Sequence, residues 1–145
     1  MTKLVRFSLD RDAPPTTPDG DSRVRYGVLD GGQAEETGPL WSGRTGIFHP
    51  LEGIRLLPPC WPSKIVCVGR NYDAHAHEFG NEPPKEPLIF LKPPSSLLGP
   101  GGEIVYPSLS RRVDPEGELG VVVGRRARHV KAQDAEEYIL GYTCV

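Results

Sequence analysis

The chain has 145 residues, a net charge of −2, and 37% hydrophobic content, of which aromatics make up 8% of the chain. That length holds one ordinary domain, or a small domain with part of a larger one, and the near-neutral charge excludes a general attraction to nucleic acid or to an anionic membrane. The 17 glycines and 16 prolines are scattered as turn punctuation, which predicts a mainly β, loop-rich chain with short helices, in the α+β class.

In chain order, Met1-Thr2-Lys3-Leu4-Val5-Arg6 lacks the apolar run of a signal peptide. Val5, Phe7 and Leu9 alternate with Arg6 and Ser8, the period of a half-buried strand. A proline-rich loop follows from Asp10 to Ser22. A second strand, Val24 to Val28, ends at Asp30-Gly31-Gly32, a hairpin signal. Ile54 to Leu57 is apolar and precedes Pro58-Pro59-Cys60-Trp61-Pro62. This proline cluster is read as a boundary, giving a small β-containing domain over 1–60 and a second region over 61–145. Lys64 to Val68 reads as a buried strand and Asp73 to Phe79 as a short helix, capped by Asn71 or Asp73 and closed by Gly80. Leu88 to Leu91, Glu103 to Tyr106 and Glu118 to Val123 read as strands. Asp134 opens a helix through Tyr138, and Leu140 to Val145 starts a further strand. Cys60, Cys67 and Cys144 make no CxxC pair, so a disulfide scaffold and a zinc ribbon are both disfavoured. No stretch approaches the roughly 18 apolar residues of a membrane span. The expectation is a soluble, cytoplasmic chain with neither membrane nor nucleic-acid partners.

Two local patterns carry chemistry. Residues two apart on a strand share a face, so Glu116 and Glu118 project together. Two carboxylates about 5 Å apart repel by roughly 3 kcal/mol at an effective dielectric near 20. Mg²⁺, Mn²⁺ or Ca²⁺ would offset that repulsion, and so would simple solvation. The apolar run after the pair reads as a central strand, which favours the metal. Asp114 shares the register, with Pro115 blurring its direction. On a helix, His75 and Glu78 lie three apart on one face, where the carboxylate orients the imidazole as a general base. A surface pair is the bland alternative. His75 and His77 as zinc ligands would need a strand there. Lys92, after an apolar strand and before Pro93, could pair with a substrate carboxylate or simply cap a surface. His49 and His129 have no carboxylate at useful spacing and are read as solvated. Neither a phosphate-binding loop nor a GxSxG elbow occurs.

Taken in order, these pieces resemble the fumarylacetoacetate hydrolase family. The matching runs are Lys64-Ile65-Val66-Cys67-Val68-Gly69-Arg70-Asn71-Tyr72 with His75 and Glu78, Glu86-Pro87-Leu88-Ile89-Phe90-Leu91-Lys92-Pro93, Val113-Asp114-Pro115-Glu116-Gly117-Glu118-Leu119, and Leu140-Gly141-Tyr142-Thr143-Cys144. Residues 1–60 are similar to the small N-terminal domain of bacterial members named as isomerases of aromatic-acid catabolism. The resemblance implies a β-rich catalytic fold holding Mg²⁺ or Mn²⁺. It makes Glu116 and Glu118 metal ligands, His75 and Glu78 the catalytic dyad, and Arg70 and Lys92 substrate contacts. It further implies a small keto-acid substrate of the acylpyruvate or hydroxydiene-dioate type, hydrolysed, isomerised or decarboxylated through a metal-stabilised enolate. The complete catalytic domain would be a homodimer. In the family, a further aspartate ligand and a substrate-contacting lysine follow the segment matching Gly141 to Val145. The catalytic fold is therefore expected to be incomplete in this chain, and the 145-residue polypeptide poorly folded, self-associating and inactive. The alternative functions are a catalytically incompetent fragment and, more weakly, a structural cation-binding domain.

Overall fold

The computed structural model describes residues 1–71 and 84–145. The chain forms two compact units, Met1–Pro100 and Gly101–Val145.

The first unit is built on an antiparallel sheet of β1 (Lys3–Ser8), β2 (Val24–Asp30), β3 (Gln33–Thr37), β4 (Arg44–Pro50) and β5 (Arg55–Leu57), in the order β4-β3-β2-β1-β5. Asp30 pairs with Gln33 across Gly31 and Gly32, whose φ values of 53° and 90° supply the left-handed pair that a two-residue hairpin loop requires. Phe7, Ala34 and Ile54 form the buried centre, with Val5, Leu29, Leu51 and Leu56 packed against them.

The alternation in β1 predicts Arg6 and Ser8 on a polar outer face, yet both are fully buried. The loop between β1 and β2 folds over that face. Arg6 donates from its guanidinium to the Pro58 carbonyl at 2.8 Å and to the Thr17 carbonyl at 3.0 Å, and it pairs with Asp19 at 2.8 Å. One cation thus ties the proline-rich loop to the end of the sheet. β4 was not evident from sequence, because Gly46 sits at φ 75° and the β3–β4 register shifts between Glu35 and Thr37. Arg44 pairs with Glu35 across that shift. The same unit carries a separate hairpin, β6 (Ile65–Gly69) with β7 (Leu88–Lys92), registered from Ile65↔Lys92 to Gly69↔Leu88.

In the second unit, β8 (Leu119–Val123) pairs with β9 (Ile139–Cys144). Glu118 and Val145 extend the ladder by exchanging backbone hydrogen bonds of 2.8 and 3.0 Å. Gly120 approaches its partner closely here, since a Cβ on it would lie 2.8 Å from Thr143 Cγ2. The ladder joins these two strands alone among the described residues, so β8 is not the central strand expected. The predicted strand at Glu103–Tyr106 is irregular instead, with Ile104 and Val105 about four-fifths exposed at 80% and 81% and no partner strand beside them among the described residues. The predicted helix near Asp134 is a 3-10 segment, Ala132–Tyr138. The architecture is the mainly β, α+β class expected. Among the described residues, no helix is long and apolar enough to cross a membrane.

Candidate functional site

The elements that carry the predicted site are the two hairpins. Lys92 closes β7 opposite Ile65, exposed and followed by Pro93. Arg70 follows β6 just beyond the Gly69↔Leu88 pair, also exposed, in the left-handed region at φ 54°. That backbone conformation is uncommon for a non-glycine residue and is one of the places where strain gathers at functional sites. The antiparallel register sets Arg70 and Lys92 at opposite ends of one hairpin, five positions apart or about 17 Å along the strand. They do not form a two-pronged clamp at one point. His75 and Glu78 lie outside the described residues.

Glu118 is held in the β8–β9 ladder by its backbone, while Glu116 precedes the ladder in irregular chain. Both are exposed. An open depression of about 340 Å³, lined by Gly117, Glu118, Leu119, Cys144 and Val145, lies at this end of the ladder. Asp114, the other carboxylate in register, is bound by Arg112, whose Nε lies 3.0 and 2.7 Å from its two oxygens. The oxygen donors of Glu116 and Glu118 suit a hard divalent cation. However, no group of three or more His, Cys, Asp or Glu side chains able to hold a metal gathers among the described residues. The described residues therefore offer two ligands of the right chemistry without closing a site.

The structure also forms a pair that sequence spacing concealed. Sequence spacing predicts a solvated His49, but its Nε2 lies 2.8 Å from Glu36 Oε2, and Arg25 Nε reaches the other oxygen of Glu36 at 3.5 Å. The Phe7 ring tilts against the imidazole with centroids 5.4 Å apart. The β3–β4 register brings residues 13 positions apart together. His129 is exposed, in the left-handed region at φ 52°. Of the thiols, Cys60 is pushed up by burial, partly offset by the nearby Arg6 charge.

Comparison with known proteins places this geometry. An uncharacterised protein of Pyrococcus horikoshii is 57% identical over 84 residues, covering 58% of this chain and 36% of its own. The human mitochondrial protein named oxaloacetate tautomerase FAHD2B is 49% identical over 88 residues, 61% of this chain and 28% of its own. Among solved structures, 2-hydroxyhepta-2,4-diene-1,7-dioate isomerase from Mycobacterium marinum superposes with a TM-score of 0.77 at 34% identity, covering 99% of this chain and 53% of that one. The likeness therefore takes in the N-terminal sheet as well as both hairpins. The chain spans about half the length of that structure and about a third of these curated relatives. The family model described as fumarylacetoacetate (FAA) hydrolase C-terminal matches residues 64–145, the stretch that carries both hairpins and the paired glutamates. The chain belongs to the fumarylacetoacetate hydrolase family.

Proposed function

We propose that this chain contributes to an enzyme that shifts a proton next to the carbonyl of a small keto acid, with a divalent cation stabilising the enolate. The observation that carries this reading is the match over residues 64–145 with the motifs in family order. The two activities named among the relatives, oxaloacetate tautomerase and hydroxydiene-dioate isomerase, both move a proton between carbon and an enol or dienol unit. That shared step favours tautomerisation or isomerisation over C–C hydrolysis and decarboxylation, which the same enolate chemistry would also serve.

In this reading His75 takes the proton from carbon and returns it, with Glu78 orienting the imidazole and balancing its charge. Glu116 and Glu118 would hold Mg²⁺ or Mn²⁺, which supplies Lewis-acid stabilisation of enolate charge when bound. Arg70 and Lys92, at opposite ends of their hairpin, serve separate anionic groups of the substrate rather than one carboxylate. The proposed setting is a cytoplasmic homodimer acting in aromatic-compound catabolism. A second reading, a chain that retains the motifs but does not turn over, is favoured by the lack of a three-ligand group among the described residues.

Calorimetry with Mn²⁺ and enol–keto conversion of oxaloacetate test the proposal, on the 145 residues or on a longer product of the same reading frame. Glu118→Ala should abolish saturable metal binding. His75→Ala should keep the metal and lower turnover by roughly 10²–10⁴-fold, the usual share of general acid–base catalysis. Full metal affinity in Glu118→Ala would remove the ligand assignment, and loss of metal in His75→Ala would make the histidine a ligand. Metal binding without turnover would select the second reading.

A further inference from the structure

A second cleft, of about 320 Å³, lies at the β5 edge of the N-terminal sheet and is lined by Arg11, Leu51, Ile54, Arg55, Leu56 and Pro100. None of the residues assigned above lines it. We propose that this cleft binds a small organic carboxylate, its charged end on Arg55 and Arg11 and its hydrocarbon body against the apolar wall.

Four observations carry this assignment. The Nε of Arg55 is buried and finds no acceptor among the described protein atoms. The same guanidinium is anchored from one side, where it donates to the Arg11 carbonyl at 3.3 Å. Neither arginine is ion-paired with a carboxylate among the described residues; the neighbouring Asp10 faces Arg23 at 3.8 Å and accepts from the Asp12 backbone. Finally, the wall is tightly built. Gly99 lies so close to the Pro15 carbonyl and the Pro58 ring that a Cβ would sit at 2.9 and 3.1 Å from them, so the chain leading to Pro100 is packed against the proline-rich loop.

The chemistry selects the ligand class. Two cationic side chains with no counter-ion among the described residues favour an anion, and a planar guanidinium matches a carboxylate. The side chains of Leu51, Ile54, Leu56 and Pro100 offer inorganic phosphate no donor, whereas a short alkyl chain can lie against them. The cleft is at the small end of ligand sites, so a body of a few carbons fits and a nucleotide does not. This inference does not rest on the proposed keto-acid chemistry, because none of its residues belongs to that site.

The test is a titration of the ¹⁵N-labelled chain, carrying Leu91→Lys and Val121→Lys on exposed hairpin faces outside this cleft to keep it dispersed, with butyrate, acetate, inorganic phosphate and chloride at matched ionic strength, following backbone amides and arginine Hε signals. Saturable shifts should appear at Arg55 Hε and at the amides of Arg11, Leu51 and Ile54 to Leu56, with butyrate bound more tightly than acetate or phosphate. Arg55→Gln should weaken butyrate by about tenfold or more, the worth of one charge-assisted hydrogen bond. Arg11→Gln, on the exposed loop, should weaken it too and serves as the decisive variant if Arg55→Gln does not fold. Shifts that stay linear with concentration, match those from chloride, or persist unchanged in Arg11→Gln would overturn the site. Phosphate binding more tightly than butyrate would overturn the assigned ligand class.

Discussion

At the scale of single residues, the best-defined chemistry of the chain is cationic. Arg6 is fully buried; its two terminal nitrogens meet two carbonyls and Asp19, while its Nε finds no acceptor among the described protein atoms. Replacing it with alanine would strand the Pro58 and Thr17 carbonyls and leave Asp19 without its cation. The cost should be about 2 kcal/mol, set by the stranded carbonyls, since Asp19 is partly exposed and keeps the hydrogen bond from Tyr26. Urea unfolding of Arg6→Ala against the parent chain reads that number, and a loss below about 1 kcal/mol would mean that water replaces the network. Asp21 makes a different, pH-dependent statement. The Arg23 side chain donates to its two oxygens at 3.0 and 2.7 Å and the Arg23 backbone N–H at 2.9 Å, which together lower its carboxyl from the usual 3.8 to about 2. A depressed carboxyl favours the folded state above its ordinary value, and that contribution is lost as pH falls from about 4 towards 2. A carbon-detected NMR titration should find the Asp21 midpoint near 2, returning towards 3.8 in Arg23→Ala. A midpoint that stays low in the variant would assign the shift to something other than Arg23.

At the scale of elements, the strands that were legible in sequence share one property: their pattern is local. β1, β2, β6, β7, β8 and β9 each follow an apolar or alternating run, and Gly31-Gly32 announces the first hairpin. β4 was not legible because Gly46 and the register shift break its alternation, and its partner is chosen by β3 rather than by its own residues. Glu103–Tyr106 carries the apolar run Ile104-Val105-Tyr106 without a partner strand among the described residues, so the run promised a strand that pairing did not deliver. The site divides the same way. The ExE spacing is local and can be read from sequence, and the HxxE spacing lies outside the described residues, whereas the His49–Glu36 contact exists only through the β3–β4 register. Pairing also makes a demand on β2. A Cβ on Gly27 would lie 2.7 Å from the Glu35 carbonyl and 3.0 Å from the Phe7 ring, so the sheet centre is closed to any side chain there. Gly27→Ala should therefore destabilise by about 1–3 kcal/mol, the usual cost of overpacking. Thermal unfolding followed by circular dichroism would check this, and an unchanged midpoint would show that β3 can step aside.

At the scale of the whole molecule, burial is uneven. The buried apolar residues among those described are Phe7, Ala13, Val24, Val28, Ala34, Ile54 and Leu57, all within the first sheet and its loop. The two hairpins add none. On β6–β7, Val66, Val68, Ile89 and Leu91 share one face through the pairs Val66↔Leu91 and Val68↔Ile89, and all four are exposed. On β8–β9, Leu119, Val121, Tyr142 and Cys144 share a face through Leu119↔Cys144 and Val121↔Tyr142, and these too are exposed. A two-stranded ladder is marginal in water by itself, and apolar faces with open edges invite pairing with other chains. We therefore expect the 145-residue chain to self-associate at micromolar concentration while its first sheet stays folded. Amide exchange should be slow in β1 to β3 and fast in β6 to β9, because local opening of the hairpins exposes little new apolar surface. The double substitution Leu91→Lys and Val121→Lys places a charge on each exposed face without touching the buried centre. Sedimentation velocity should then show a larger monomer fraction, with the unfolding transition of the first sheet unchanged. A parent chain that sediments as a monomer, with hairpin amides as protected as those of β2, would show that the hairpins are stable without a covering partner.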